Sequence, residues 1–563
     1  MASTPAHAAW QQYVPKAWTL LRRGYGFEAL RHDLVAGLTV AVVALPLAMA
    51  LAIASGAPPE KGLHTAIIAG FMISLLGGSR VQIGGPTAAF IPVVFVVIER
   101  FGYGGMVLCT LLAGLILIAA GLLRLGALMR YMPQPVITGF TAGIAVSIFS
   151  SQVKDLFGLP IAQLPGEFVA RWQAYSAHAG AFNPASVAVS LGAIAMIVAL
   201  RRWRPLWPGF LITVIVAAIA AAVLALPLPT IASTFGSLPA ALPAFEFPHI
   251  PFERTAEMLP AALTIAFLGG VESLLSAVVA DGMTGGRHRS NGELVAQGVA
   301  NCASALFGGL PATGAIARTA TNIRAGARTP VAGMAHALFL LAFMLLAAPL
   351  MGYVPLAALA AVLVVVAWNM SEIEQFRHLL RGHWGDRLVL LATFGLTVAF
   401  DLTVAIEVGV VLAAFLFMHR MSEVVSVDAY ARPGDELSDA NGDEEDQRAL
   451  LPPGVAAYRI SGPLFFAVAN RLDEALDQMP VAPKVFILRL RRVPLIDASG
   501  AHALRQCLAR CARQGTQVIL SGVQAQPRAL LEAQGIGAAP NLLGWAADFD
   551  AAVAMAREAP GAG

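Results

Sequence analysis

The chain has 563 residues, of which 57% are hydrophobic and 13% charged, and a formal net charge of +3. So apolar and weakly charged a composition excludes an ordinary soluble protein, and nucleic acid is not expected as a partner. Its four cysteines, Cys109, Cys302, Cys507 and Cys511, have neither metal-ligand nor disulfide spacing, so neither a metal nor a disulfide is expected.

Residues 1–32 are polar to amphipathic, with Tyr13, Trp18, Arg22, Arg23 and Arg31. They read as a cytoplasmic interfacial segment with no cleavable signal peptide. From Asp33 to Arg420, apolar runs near the length of a span recur. The predicted segments are 33–56, 62–78, 86–99, 104–128, 133–152, 184–201, 207–227, 256–280, 291–308, 314–325, 329–351, 354–370, 386–400 and 402–420. With the N-terminus inside, Arg80, Arg124, Arg130, Arg201, Arg202, Arg204, Arg287, Arg289, Arg377, Arg381 and Arg387 all fall inside. Lys61, Arg100, Lys154, Arg171 and Arg254 fall outside. This asymmetry predicts about fourteen spans in the inner (plasma) membrane, with both termini cytoplasmic.

The spanning region repeats itself. Leu38-Thr39-Val40-Ala41 returns as Leu263-Thr264-Ile265-Ala266, and Pro86 in a GGPTAAF stretch returns as Pro311 in GGLPATG. Both matches lie about 225 residues apart, and parity makes the second half enter from the opposite side, the pattern of inverted-repeat transporters. The expected halves are residues 33–235 and 256–422, within a membrane domain 33–425.

Glu272 lies in a GGVESLLSAVV segment with no basic residue within a turn or two. A carboxyl buried in a span favours its protonated form and is usually functional. Near a bound anion, a proton on Glu272 would remove like-charge repulsion and couple proton to anion uptake. The alternative is a permanent Glu272–Arg318 ion pair.

The stretch 308–328, GGLPATGAIARTATNIRAGAR, is poor in bulky apolar residues, and Pro311 and Gly314 make an unbroken helix improbable. A helix starting near Gly314 or Ala315 would leave free N–H groups and a partial positive charge within the bilayer, a ready anion site. Arg318 adds a full charge one turn on. A second helix starting near Thr87 should meet the first head to head. The candidate anion-binding residues are therefore Thr87, Ala88, Ala315, Ile316, Ala317 and Arg318. The alternatives are close packing of small residues and, for Arg318, a kinked packing helix with a structural ion pair. Asp401 and Glu407 read as structural pairs or loop-end residues.

Residues 426–449 read as an acidic, flexible linker. Beyond it, residues 450–563 read as a cytoplasmic α/β unit. Val455–Ile460, Val485–Leu490 and Gln517–Leu520 are strand-like, and Ala467–Gln478, Gly500–Arg513 and Pro527–Gln534 helix-like. This alternation predicts a mixed sheet with helical cover. Cys507 and Cys511, at i, i+4 on a predicted helix, read as core packing.

Several motifs resemble those of the sulfate permease (SulP) family, which includes prestin and pendrin. They are Pro58-Pro59-Glu60-Lys61-Gly62-Leu63, Gly78-Ser79-Arg80 with Gly85-Pro86, Glu272-Ser273-Leu274-Leu275, Asn291-Gly292-Glu293-Leu294 with Gln297-Gly298, and the stretch 308–329. The tail resembles a STAS domain through Ile460-Ser461-Gly462-Pro463-Leu464-Phe465-Phe466 and Asp497-Ala498-Ser499-Gly500. The resemblance covers nearly the whole chain. It implies a mostly α polytopic fold of two inverted seven-segment repeats, a core and a gate subdomain, and a homodimer. It also implies an elevator-like motion and an anion held between the third and tenth segments. In sodium-coupled relatives the Glu272 position resembles an Asp with a hydroxyl one turn later. Here Glu272 with Ser276 favours a proton over sodium as coupling ion, with no other cofactor. Departures from the family pattern are His64 for Tyr, Leu47 rather than Gln after Pro46, and apolar Ile316 and Ala317 at the tenth-segment start. Ser499 matches a position phosphorylated in bacterial anti-sigma-factor antagonists, and the reading favoured for it is a helix cap, with a cytoplasmic partner of the tail open. The expected function is secondary transport of a sulfate-type, bicarbonate or dicarboxylate anion. A membrane-anchored anion sensor acting through the STAS domain and an uncoupled channel are the alternatives. No nucleophile–base pair, phosphate loop or metal spacing points to an enzyme.

Overall fold

The computed structural model describes residues 11–22, 24–126, 132–204, 207–241, 243–245, 254–400, 402–424, 426–429, 451–465 and 482–559. The predicted helix Ala467–Gln478, most of the expected linker, Asp401, Arg130 and Phe466 lie outside these residues. The chain falls into two units, Met1–Ala413 and Ala414–Gly563.

In the first unit, a short helix α1 (Lys16–Leu21) precedes α2 (Phe27–Ala54) and α3 (Pro59–Leu76). Pro59 opens α3 where its missing N–H leaves no bond unmade. A two-residue strand β1 (Gly84–Gly85) and a 3₁₀ turn at Ala88–Phe90 lead into α4 (Ile91–Leu122). The backbone of α4 leaves helical geometry at Gly102 (φ 71°, ψ 179°), so the third and fourth predicted segments form two limbs. Helices α5 (Gln134–Phe157), α6 (Phe168–His178), α7 (Pro184–Trp203), α8 (Gly209–Val223) and α9 (Ile231–Phe235) complete the first half. The second half holds α10 (Thr255–Thr284), α11 (Ser290–Leu306), strand β2 (Thr313–Gly314), α12 (Ile316–Arg324) and α13 (Val331–Met351). It continues with α14 (Leu356–Met370), α15 (Ile373–Leu380), α16 (Trp384–Ala399) and α17 (Leu402–Val424).

Every predicted segment falls on a helix, while α1, α6, α9 and α15 were not expected. Among the described residues, 8 helices are long and apolar enough to cross a membrane. Helix α11 is not one of them, because Glu293, Gln297, Asn301 and Ser304 give it a polar stripe; all four are buried inside the protein. Two sets of helices pack most heavily within themselves, although α2 also touches α8 and α14 across them. Helix α4 lies along α10 and α11, and α13 along α2 and α3; elsewhere α5 packs on α14 and α16, and α7 on α8 and α14.

The two helix breaks meet. Strands β1 and β2 pair antiparallel, with Gly84 opposite Gly314 and Gly85 opposite Thr313. Non-helical backbone inside a spanning unit needs partners from the protein itself, and side chains supply them. Thr65 Oγ1 accepts from the Leu310 N–H (2.6 Å), and Ser304 Oγ donates to the Leu310 carbonyl (2.7 Å). The Asn301 amide takes both groups of Ala312, accepting from its N–H and donating to its carbonyl, each at 2.8 Å. The Ala315 N–H reaches the Ile83 carbonyl at 2.8 Å.

In the second unit the strands are β3 (Ser426–Ala429), β4 (Val455–Ser461), β5 (Val485–Arg492), β6 (Gln517–Ser521) and β7 (Leu542–Ala546). The helices are α18 (Ala498–Arg513), α19 (Ala525–Ala533) and α20 (Phe549–Glu558). The sheet order is β3-β4-β5-β6-β7, antiparallel only between β3 and β4. This is the expected mixed sheet. Alternate residues of β5 feed two apolar clusters: Phe486, Leu488 and Leu490 with α18, and Val485 and Ile487 with α20. Cys507 and Cys511 are buried in the first cluster and are not joined by a disulfide. Ser426–Ala429 is corrected from linker to edge strand: its backbone pairs with Tyr458–Ser461, a non-local contact that composition does not reveal.

Replacing Asn301 with Ala would strand the N–H and carbonyl of Ala312 in a dry interior. A loss of about 1–3 kcal/mol for each is expected, read as a lowered melting temperature of the purified protein, with Asn301→Asp falling between.

Candidate functional site

Thr87 has extended backbone (φ −126°, ψ 157°) and caps the 3₁₀ turn ahead of α4. Ala315, also extended (φ −97°, ψ 112°), is the N-cap of α12. Both helix starts therefore leave the β1–β2 ladder in opposite directions. The first-turn N–H groups of each have no carbonyl one turn back, and each start carries about half a positive charge. Both breaks lie within a few residues of the expected positions. The ladder between them could not be read locally, because a two-residue strand has no periodicity.

Side chains converge on these starts. Thr87 Oγ1 donates to Glu272 Oε2 on α10 at 2.9 Å. Arg318 on α12 donates from Nη2 to the Pro86 carbonyl and is only 4% exposed. Gly85 sits under the guanidinium with φ at +144°, and a Cβ there would lie 2.7 Å from Arg318 Nη1, so glycine is required twice over. Among the described residues Arg318 and Glu272 do not form an ion pair. Thr87, Ala88 and Ala315 are buried, while Ile316 is 37% exposed and Ala317 is exposed. The accessible part of the α12 start is thus its backbone and two apolar side chains.

Ser276, one turn from Glu272 on α10, makes its hydrogen bond elsewhere. Its hydroxyl lies 3.1 Å from Thr319 Oγ1, and Thr319 in turn accepts from the Ile83 N–H (3.0 Å). It therefore ties α10 to α12 and to the residue before the β1 ladder. Reading the sequence for function also passed over Gln82, whose Nε2 donates to the Ser273 carbonyl (3.1 Å) and Oγ (3.0 Å). Glu293, earlier only part of a motif, is a second buried carboxylate. It accepts from Gly78 N (2.7 Å) and Ser79 N (3.2 Å) at Oε2, and from Gln297 Nε2 (2.8 Å) and Ser273 Oγ (3.2 Å) at Oε1. Four donors fill its acceptor sites and fix its position. Glu272 is half-buried and has one donor among the described residues, Thr87, so it has room for a proton.

Away from this centre, Glu407 is exposed on α17. In the second unit the cap assigned to Ser499 belongs to Asp497, whose Oδ1 accepts from the Gly500 N–H at 2.7 Å. Helix α18 begins at Ala498, which puts Ser499 inside the first turn and exposed.

Two interrupted helices joined start to start by a main-chain ladder, within inverted halves, define a polytopic membrane fold of the inverted-repeat transporter type. The chain belongs to the sulfate permease family: the family model matches residues 30–393, and that of the STAS domain residues 448–542. It is 42% identical over 517 residues to a Bacillus subtilis protein named "Putative sulfate transporter YvdB", covering 91% of this chain and 95% of that one. It is 33% identical over 524 residues to the bicarbonate transporter BicA of Synechocystis, covering 90% of each. Among solved structures, the transmembrane domain of a cyanobacterium bicarbonate transporter BicA matches 68% of this chain and 98% of its own, with TM-score 0.63 and 33% identity. The murine Solute Carrier 26 family member A9 anion transporter in the inward-facing state matches 99% of this chain and 96% of its own. Its TM-score is 0.87 at 19% identity, a likeness of fold alone.

Arg318→Ala should weaken equilibrium binding of an inorganic anion by about tenfold or more, the scale of one charged hydrogen bond. Ser276→Ala should leave affinity within a factor of about three and lower thermal stability instead. Titration calorimetry on the purified variants checks both.

Proposed function

We propose that this protein is a secondary active transporter of small anions in the inner (plasma) membrane, not an enzyme, and that it couples anion uptake to a proton. The observation that carries the reading is the Thr87–Glu272 hydrogen bond at a helix start shared with Arg318. One carboxyl with a single donor lies beside a cation and two positive helix ends. An anion seated at the starts of α4 and α12 feels less repulsion once Glu272 is protonated, so each ligand favours the other, and by linkage the coupling is mutual. The Ser276 hydroxyl is engaged with Thr319 and the Thr87 hydroxyl is spent as a donor to Glu272, which supports the proton over sodium.

The anion class is small inorganic or carboxylate, with sulfate, bicarbonate and C4-dicarboxylates as the candidates. The relatives are named sulfate and bicarbonate transporters. The denser packing within α2–α4 and α10–α13, and within α5, α7, α8, α14 and α16, supports an elevator in which the first set carries the anion past the second. A homodimer with cytoplasmic termini accords with the basic residues expected inside. Asymmetry of charge on the pocket, rather than its size, is what discriminates against cations.

In proteoliposomes holding the full chain, uptake of labelled anion should accelerate under an inward proton gradient. Glu272→Gln should keep anion binding within about threefold and lose that acceleration. Acid-driven uptake unchanged in Glu272→Gln would remove the coupling role; gradient-independent flux in the unmodified protein would favour a channel, and binding without flux a sensor.

A further inference from the structure

The first limb of α4 starts at the proposed anion site and ends near Gly102, and at that far end it is gripped by the other set of helices. The loop after α5 is fixed to α5 itself. Tyr175 of α6 donates to the Ser150 carbonyl at 2.7 Å, and Leu159, Ile161 and Tyr175 share an apolar cluster with Val153. From this platform the peptide group of Gly166 is clasped from two directions. Its N–H donates to Glu99 Oε1 of α4 at 3.3 Å, and its carbonyl accepts from Arg171 Nη2 of α6 at 2.8 Å. Arg171 Nε also donates to the Pro165 carbonyl at 3.1 Å, and the guanidinium lies 5.7 Å from the centre of the Phe95 ring on α4.

Three features separate this from a casual surface contact. Arg171 is only 7% exposed, unusual for an arginine in a loop helix. Its charge is met by main-chain carbonyls, an aromatic face and the field of Glu99, without a paired carboxylate among the described residues. A Cβ on residue 166 would lie 2.2 Å from Oε2 of the exposed Glu99 side chain, so any larger residue there has to push that carboxylate aside. The contact also crosses the boundary between the two helix sets: Phe95 and Glu99 belong to the limb that presents Thr87, whereas Gly166 and Arg171 ride on α5. Sliding of one set along the other would stretch it.

We propose that the Glu99–Gly166–Arg171–Phe95 contact is a latch that holds the anion-carrying limb of α4 to the α5–α6 platform and must open in every transport cycle. The proposal rests on the elevator reading of the preceding subsection. Glu99 is exposed, so its 3.3 Å bond to the Gly166 N–H is worth a few-fold in an equilibrium or a rate, enough to time the cycle, and the latch is too far from Thr87 to touch the anion.

The test uses the full chain in proteoliposomes. Glu99→Ala should raise turnover about threefold or more with the half-saturating anion concentration changed by less than about twofold, and Glu99→Gln, which keeps an acceptor for the Gly166 N–H, should stay near the unmodified rate. Arg171 is buried and its alanine variant can misfold, so the second arm introduces Glu99→Cys with Gly166→Cys and joins them with a short reagent cleavable by reductant. The unmodified chain treated identically controls for its own cysteines. Flux should fall at least tenfold on cross-linking and return on reduction. Undiminished flux through protein shown by mass spectrometry to be cross-linked overturns the latch, as does unchanged or lowered turnover in Glu99→Ala. Absence of any flux in the untreated chain overturns the transport reading and the latch together, so the two failures are told apart.

Discussion

Main-chain hydrogen bonding at the centre of the spanning unit is the constraint from which the rest follows. Two helices stop there, and the N–H and carbonyl groups that they release cannot be left to water. The β1–β2 ladder takes some of them, and Thr65, Asn301, Ser304 and Thr319 take others. The first-turn donors of α4 and α12 remain. Those helix starts carry the partial positive charge on which the proposed anion site rests.

Charge is distributed around that centre with the same economy. Glu293 is surrounded by four donors and locks Gly78, Ser79, Gln297 and Ser273 together. Ser273 passes the constraint to Gln82, two residues before β1, so the ladder is held from behind. Glu272, the residue before Ser273 on the same helix, faces the helix starts with a single donor. Two carboxylates of one type thus take opposite parts, one bracing the scaffold and one able to change its charge, and the number of donors around each makes the difference. Arg318 anchors on the Pro86 carbonyl rather than on Glu272, which leaves both charges available to a ligand.

Much of this was legible in the residues. Pro311 and Gly314, and Pro86 after two glycines, marked both breaks to within a few positions, because proline and glycine act locally on the backbone. Periodic apolar runs located the spans for the same reason. The amphipathic α6 was invisible as an element of interest, since its Arg171 reads as an outer-loop charge until Phe95 and Glu99, more than seventy positions earlier in the chain, are seen around it. The partner of Ser276 was hidden for a related reason: helical spacing put it one turn from Glu272, but only the packing of α10 against α12 brings its hydroxyl to Thr319. Ser499 lost the cap to Asp497 through a shift of the helix start too small for sequence to resolve.

Sequence alone determined what is local or additive: a membrane chain, its segments, the inverted repeat, the two helix breaks, the mixed sheet of the tail and the titratable residues inside the bilayer. Tertiary structure decided which groups meet. The pairing of Gly85 with Thr313, the reach of Thr87 to Glu272 and the clasp on Gly166 each join residues scores to hundreds of positions apart, and nothing short of the packed chain specifies a hydrogen bond of that range. Its direction and length depend on the rotation and depth of whole helices, which are set by the sum of their contacts and by no single residue.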